Sequence, residues 1–375
     1  MTGRIVLFGA TGYTGRRTAA EMVARGMVPV LAGRDAGRLA RLGQQLGGLP
    51  TATADVTDAG SVRALIGAGD VLVSTVGPFL RLGEAALSAA VDTGAIYLDS
   101  TGEPPFIRRV FEEFGPLATR SGASLLTAFG NDYVPGNLAA ALALRLAGGP
   151  AHRVETGYFV TGVGRAQVFS RGTVASLVGA VSEPSFTWRG GIRSEPGGSR
   201  MRTFRMAGRD RPALTIGASE HFTLPRLAPD LAEVDVYLGW FGPATRALHL
   251  GSRVGAALSR LPGTGSLTRK AGEWVTGRVA EEPDASALER VRSHFVGAAY
   301  DADGTLLAEV RLVATDPYQL TARLLAWGAE RAAERGVSGP GALGPVDAFG
   351  LDVLTAGAAE IGLHRCGAVD RGEPA

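Results

Sequence analysis

The sequence predicts an α/β protein in which an N-terminal Rossmann domain, a doubly wound parallel sheet, precedes a second α+β domain with a mostly antiparallel sheet. Three observations predict this. Short apolar runs alternate with helix-like segments through the first 147 residues, the pattern of parallel strands joined by helical crossovers. The first such junction carries three glycines, Gly9, Gly12 and Gly15, between a strand and a helix. After Ala147-Gly-Gly-Pro150 the alternation stops, and longer strand-like runs follow.

In chain order, Arg4–Phe8 reads as the first strand and Tyr13–Arg25 as the first helix. Val28–Ala32 is the second strand, followed by a helix over 35–46. Thr51–Ala54 and Val71–Ser74 are the third and fourth strands. Leu80–Asp92 reads as helix, Ala95–Leu98 as the fifth strand and Phe106–Ser121 as a helix entered through Pro104 and Pro105, which suit a first turn. Ser124–Ala128 is the sixth strand, before a helix over Pro135–Leu146. Beyond the punctuation, Arg153–Thr161, Val234–Trp240, Arg290–Tyr300 and Thr305–Ala314 read as strands, the last two joined by the turn Asp301-Ala-Asp-Gly304. Arg189–Arg202, rich in Gly, Ser, Arg and Pro, is expected to be a mobile loop. Pro317–Arg335 and Ala348–Ile361 read as helices that return to the first domain. The expected division is 1–148 for the nucleotide-binding domain, 149–316 for a substrate-binding or dimerisation domain, compatible with a homodimer, and 317–375 for the terminal helices.

Composition narrows the class. The 375 residues carry 38 basic and 36 acidic groups, a net charge of +2, which gives no case for a nucleic-acid or membrane partner. No apolar stretch reaches the roughly 18 residues of a spanning helix. The N-terminus lacks a signal-peptide pattern, so a cytoplasmic protein is expected. Cys366 is the single cysteine, which rules out an intramolecular disulfide and a cysteine-rich metal site. His152, His221, His249, His294 and His364 show no metal-ligand spacing, and no metal is expected.

The glycine loop has the context that dinucleotide binding requires. Gly9 permits the tight turn out of the strand, Gly12 lets the backbone approach a pyrophosphate, and Gly15 lets the helix pack closely on the sheet. Thr11, Tyr13 and Thr14 complete the loop, and phosphates would meet the positive end of the helix. At the end of the second strand, where NAD enzymes usually carry an acid, stands Arg34, with Arg38 one helical turn on. Two guanidiniums suit a 2′-phosphate, so NADP(H) is the expected cofactor. Asp35 reads as the cap of the next helix; the competing reading makes it the ligand of an NAD ribose. Asp55 and Val56, after the third strand, are placed to line the adenine pocket.

Three further loops leave the same sheet edge, where ligands of such folds bind. Thr75, Val76, Gly77, Pro78 and Phe79 form a short corner whose backbone can lie along a nicotinamide ribose. Ser100, Thr101 and Gly102, between Asp99 and Glu103, offer hydrogen-bonding groups and close approach, with helix capping the competing role for both acids. Asp132 and Tyr133 bring a carboxylate and a phenol, each able to give or orient a proton. Asp132 can instead cap the following helix, and Tyr133 can be a packing aromatic at the domain interface. His221 is the third candidate, against an ordinary structural role.

These residues resemble the saccharopine dehydrogenase-like reductase family. The resemblance rests on Gly9-Ala-Thr-Gly-Tyr-Thr-Gly15, Val76-Gly-Pro-Phe79, Tyr97-Leu-Asp-Ser-Thr-Gly-Glu103 and Asn131-Asp-Tyr-Val-Pro-Gly-Asn137, and continues more weakly at Thr223-Leu-Pro-Arg226 and Asp316-Pro-Tyr318. Within the family the chain is most similar to the actinobacterial branch that includes trans-acting enoyl reductases. That branch usually carries a Phe-Asp-Ser-Val-Pro loop, and here Tyr133 stands in the serine position. The resemblance implies NADPH-dependent reduction of a C=N or activated C=C bond in a small-molecule substrate of secondary-metabolite or lipid-like character. It does not imply lysine metabolism. The lysine-forming members rely on an active-site Lys and His, and the single lysine here, Lys270, lies in a polar run. Two other readings remain open at this stage: a non-catalytic NADP sensor or scaffold, and a redox-neutral isomerase or cyclase.

Overall fold

The computed structural model describes residues 3–162, 174, 184–258 and 283–366. Lys270 lies outside them. The first sheet is built from β1 (Ile5–Phe8), β2 (Val30–Gly33), β3 (Thr51–Thr53), β4 (Val71–Ser74), β5 (Ile96–Asp99) and β6 (Ser124–Leu126). The short strand Gly341–Ala342 pairs with β6 at one edge. All pairings are parallel, in the spatial order β6-β5-β4-β1-β2-β3. The strand order reverses between β1 and β4, the place where open α/β sheets bind ligands at the carboxyl ends of their strands. Val71–Ser74 is buried at every position, as expected of a parallel strand covered on both faces. Helix Tyr13–Ala24 buries Gly15, Thr18, Ala19 and Met22, one stripe at helical spacing.

The second sheet contains β7 (Arg153–Thr161), β8 (Pro184–Arg189), β9 (Ile192–Pro196), β10 (Met201–Met206), β11 (Arg209–Thr215), β12 (Glu233–Leu238), β13 (Arg292–Tyr300) and β14 (Leu306–Ala314). Its order is β10-β11-β12-β7-β13-β14, with His364–Arg365 beside β14 and the β8–β9 hairpin on β12. Among the described residues of this sheet, only β12 and β7 pair in parallel. Helix Val134–Leu146 starts at the functional edge of the first sheet and lies on β7 and β13 of the second. The approach is close: a Cβ on Gly297 would sit 2.3 Å from the Ala139 carbonyl carbon. This one helix therefore couples the two sheets mechanically.

Four expectations need correction. The segment 189–202 is not a mobile loop: Gly190 and Gly191 turn a hairpin, and Arg200 is held by Asp235 at 2.6 Å and Glu195 at 3.0 Å. Glycine and serine there mark a tight turn between strands. The helix expected over 80–92 breaks at Gly83, where the Phe106 ring leaves no room for a Cβ. The helix expected over 106–121 runs through a π-turn at Val110–Phe114. The last helix divides at Gly350, whose φ of +78° ends Pro345–Phe349. Pro317–Arg335 packs along helix Tyr13–Ala24, with Arg17–Asp316 at 2.7 Å and the Tyr13 and Tyr318 rings 5.2 Å apart edge to face. Among the described residues, no helix is long and apolar enough to cross a membrane.

Candidate active site

The glycine loop turns at Gly9, whose φ is +90° and whose N–H donates to the Ala32 carbonyl at 2.9 Å. Thr75 braces the turn from the neighbouring strand end: its N–H donates to Phe8 O at 2.9 Å, and its hydroxyl reaches Phe8 O and Gly9 O, each at 3.2 Å. The three glycines meet different demands. A Cβ on Gly15 would lie 2.2 Å from Gly9 O, so Gly15 serves packing. A Cβ on Gly9 would lie 2.7 Å from the Thr75 hydroxyl. Gly12 sits at φ −74° and ψ 170°, which any residue can adopt, and its only neighbour within 4 Å would be Gly9 O at 3.3 Å. The protein itself leaves the space beside Gly12 open at the helix N-terminus. In folds with such a loop a phosphate group approaches the helix N-terminus at this position.

The basic pair lies on the same rim. Asp35 accepts from Arg38 N at 2.9 Å as the cap of helix Ala36–Gln45. Arg34 and Arg38 are exposed. The Arg38 guanidinium donates to Thr11 O at 3.1 Å, tying it to the glycine loop. Asp55 accepts from the N–H and hydroxyl of Thr57 at 2.9 and 2.8 Å, and these bonds, with Arg34 nearby, hold its carboxyl below the ordinary range. Val56 beside it is half-buried. Tyr13 carries the Arg17 guanidinium over its ring at 4.8 Å.

Two acids tie the remaining loops together. Glu103 does not cap its own helix. Its carboxylate accepts from Phe79 N at 2.7 Å and Leu80 N at 3.0 Å, which fixes the Gly77–Pro78 corner, where both residues are exposed. Asp99 is fully buried and accepts from Thr101 N, Ala128 N and the Thr127 hydroxyl at 2.9, 2.9 and 2.8 Å. Burial nonetheless raises its carboxyl to about 6. The bond to Ala128 N holds that residue at φ +58°, a backbone position seldom occupied by a side chain with a Cβ. This bend turns the chain after β6 back over the sheet edge. Ser100 and Gly102 remain half-buried on that edge, and the Thr101 hydroxyl accepts from Glu103 N at 3.1 Å.

The three proton-transfer candidates separate. His221 is 1% exposed, its Nδ1 lies 3.1 Å from Ala218 N, and Phe186 packs edge to face on the ring at 5.4 Å. Burial lowers its pKa to about 4. This burial and packing favour the structural reading of His221 over the catalytic one. Tyr133 is 2% exposed, and its hydroxyl faces the carbonyls of Gly102 at 3.5 Å and Gly217 at 3.4 Å. Burial pushes its phenol well above the ordinary range. The hydroxyl points into the seam between the two halves, the placement that the packing role requires. Tyr133→Phe is accordingly expected to change stability by only about 0.5–1 kcal/mol, the worth of weak hydrogen bonds. Turnover should stay within about threefold of the parent, and a 100-fold loss in steady-state assays would reinstate the phenol as donor.

Asp132 remains. It caps nothing, because helix Val134–Leu146 has no side-chain cap. It is half-buried, its contact is Asn131 Nδ2 at 3.4 Å, and burial raises its carboxyl to about 6. A half-buried, sparsely bonded carboxyl beyond the end of a parallel strand is a candidate acid–base group.

No known family profile matches the chain. A trans-acting enoyl reductase of Mycobacterium leprae is 36% identical over 140 residues, 36% of this chain and 34% of that protein. A Mycobacterium tuberculosis protein, named as a candidate of the same kind, is 33% identical over 189 residues, 48% of this chain and 45% of its own length. The chain thus matches less than half of these relatives. Apo saccharopine dehydrogenase (L-Glu forming) from Saccharomyces cerevisiae superimposes over 97% of this chain and 99% of its own, with a TM-score of 0.61 at 14% identity. The fold is that of saccharopine dehydrogenase. Sequence reasoning gave no role to Glu220, Tyr158 or Asn137, which meet in a buried cluster under the Asn131–Tyr133 turn. Nothing local marks Glu220, since Ser219-Glu220 reads as an ordinary helix start.

Proposed function

We propose that the protein is an NADPH-dependent reductase acting on an activated C=C bond, with Asp132 as the proton-transferring group. The observation that carries this reading is the open space beside Gly12, rimmed by Arg34 and Arg38, on the same sheet edge as a raised-pKa carboxyl. Gly9, Gly12 and the helix N-terminus would hold the pyrophosphate, Arg34 and Arg38 the 2′-phosphate, and the 75–79 and 100–102 segments the nicotinamide end. A bound nicotinamide dinucleotide supplies a hydride. The chain's own residues do the rest. Thr75 and Glu103 keep two loops rigid, Asp99 sets the third, and Asp132 gives a proton to the atom that gains electrons. The mycobacterial relatives' names favour an enoyl over an imine substrate, and the carboxyl favours it too, because an iminium needs no acid.

The test is NADPH consumption with a panel of α,β-unsaturated thioesters and ketones beside cyclic imines. Oxidation by the enoyl probes supports the reading, and oxidation by the imines alone overturns the choice of bond. Cofactor preference gives a second check. NADPH should bind at least tenfold more tightly than NADH, about 1.4 kcal/mol. Arg34→Ala should erase that preference and leave NADH affinity unchanged by titration calorimetry. Equal loss for both would remove Arg34 from the phosphate site. Arg38→Ala should weaken both, because Arg38 also holds the glycine loop through Thr11 O.

A further inference from the structure

Beneath the Asn131–Tyr133 turn, a polar cluster joins the two sheets. It comprises Tyr158 on β7, Asn137 on helix Val134–Leu146, and Ser219, Glu220 and Thr223 around helix Glu220–Leu227, each 2% exposed or less. The Tyr133 carbonyl accepts from Asn137 N at 3.0 Å, Asn137 Nδ2 at 3.0 Å and the Tyr158 hydroxyl at 3.2 Å. Asn137 Nδ2 also donates to Ser219 Oγ at 3.0 Å, and Ser219 Oγ donates to Glu220 Oε2 at 3.2 Å. Thr223 Oγ1 donates to Asn137 Oδ1 at 2.5 Å. The Tyr158 hydroxyl also meets Glu220 Oε1. Gly136 makes room for this: a Cβ there would stand 1.8 Å from the Tyr158 hydroxyl oxygen.

The hydrogens can be counted. The Tyr158 hydroxyl has one hydrogen and faces two oxygens, Tyr133 O and Glu220 Oε1. A protonated Glu220 satisfies both contacts by donating to Tyr158 Oη, which then donates to Tyr133 O. An ionised Glu220 would take that hydrogen from the turn and leave a charge in a fully buried site. Among the described residues, Tyr133, Tyr158, Asp132 and Glu103 are the titratable groups around the cluster; on the Glu220 helix, His221 is neutral at ordinary pH and Arg226, at the far end, pairs with Asp347. Burial raises the Glu220 carboxyl to about 8, in line with the count.

We propose that protonated Glu220 and Tyr158 form a strut through which the second sheet fixes the Asn131–Tyr133 turn, making Glu220 a positioning residue for the Asp132 carboxyl. Its catalytic consequence rests on the acid role proposed for Asp132, but the strut can be tested without turnover. The full chain, labelled with ¹³C at its aspartate carboxyls, is titrated by NMR, with Asp132 assigned from its loss in Asp132→Asn. Infrared spectra at neutral pH report protonated carboxylic acids. Glu220→Gln keeps a donor and an acceptor, so the Asp132 midpoint should stay while the protonated-acid band attributed to Glu220 disappears. Glu220→Leu breaks the strut, so water should reach the turn and the Asp132 midpoint should fall from about 6 toward 3.8. Tyr158→Phe removes one hydroxyl and should move the midpoint the same way, even if Glu220→Leu fails to fold. An Asp132 midpoint unmoved in Tyr158→Phe, or a spectrum without a band lost in Glu220→Gln, overturns the proposal. A parent chain that reduces no enoyl probe overturns the reductase reading and leaves the strut standing or falling on these two measurements.

Discussion

Gly12→Val is expected to abolish dinucleotide binding in a protein that remains folded. The reason lies in the difference between the three glycines. At Gly12 the backbone is already extended, and a Cβ would meet only Gly9 O at 3.3 Å, a contact relieved by a shift of a few tenths of an ångström. Glycine is preferred over valine at a helix start, so a stability loss up to about 1 kcal/mol is expected. The isopropyl group would instead fill the place where a pyrophosphate approaches the helix N-terminus. Affinity should fall by at least 100-fold, about 2.7 kcal/mol, for NADPH and NADH alike. Gly15→Val provides the contrast. Its Cβ would be driven to 2.2 Å from Gly9 O and 2.9 Å from Ala10 Cα, so that variant should lose structure and binding together. Calorimetric titration with thermal denaturation on both variants separates the cases. Retained nucleotide affinity in Gly12→Val would place the phosphates elsewhere and remove the basis for the cofactor.

The first sheet was legible because its information is local. The inner strands β1, β4 and β5 are short apolar runs next to a glycine or an acid, and helix Tyr13–Ala24 carries its own buried stripe. The cofactor rim was legible for the same reason, since Gly9 to Gly15 and Arg34 to Arg38 are contiguous stretches next to strand ends. The second sheet was harder to read. The hairpin around Gly190 and Gly191 depends on pairing of β8 with β12, more than forty residues away in sequence, and on Arg200 reaching Asp235. The placement of Tyr133 could not be read from its neighbours, because the carbonyls that face its hydroxyl belong to Gly102 and Gly217. The same distance hid Glu220, whose long-range partner, Tyr158, lies on β7. Asp132 was misread in part: an acid just before a helix ordinarily caps it, but Tyr133 occupies the cap position and leaves the carboxyl without that duty.

Asp132→Asn should therefore reduce turnover and leave the fold at least as stable. When an enoyl thioester or enone is reduced, charge develops on a carbon or on a conjugated oxygen, and a positioned acid lowers that barrier. General acid catalysis contributes about 10²–10⁴-fold, which corresponds to about 2.7–5.5 kcal/mol, so kcat should fall by that factor with NADPH affinity unchanged. The pH profile carries the sign. An acid must be protonated to act, and burial raises this carboxyl to about 6. Activity should be maximal below that value and decline about tenfold per pH unit above it. In the asparagine variant this limb should vanish. Stability runs the other way. A folded pKa raised above the unfolded value stabilises the protein below the unfolded pKa, near 3.8, and the gain is lost as pH rises through about 6. At neutral pH the ionised carboxyl is thus a burden that a neutral amide removes, and the variant should melt no lower than the parent. A residue that serves only structure would show the opposite pairing, with lower stability and near-normal kcat. Unchanged turnover with enoyl probes would exclude Asp132 as the acid, and with an iminium substrate it is the expected result, since the nitrogen's own charge is neutralised and no proton is required.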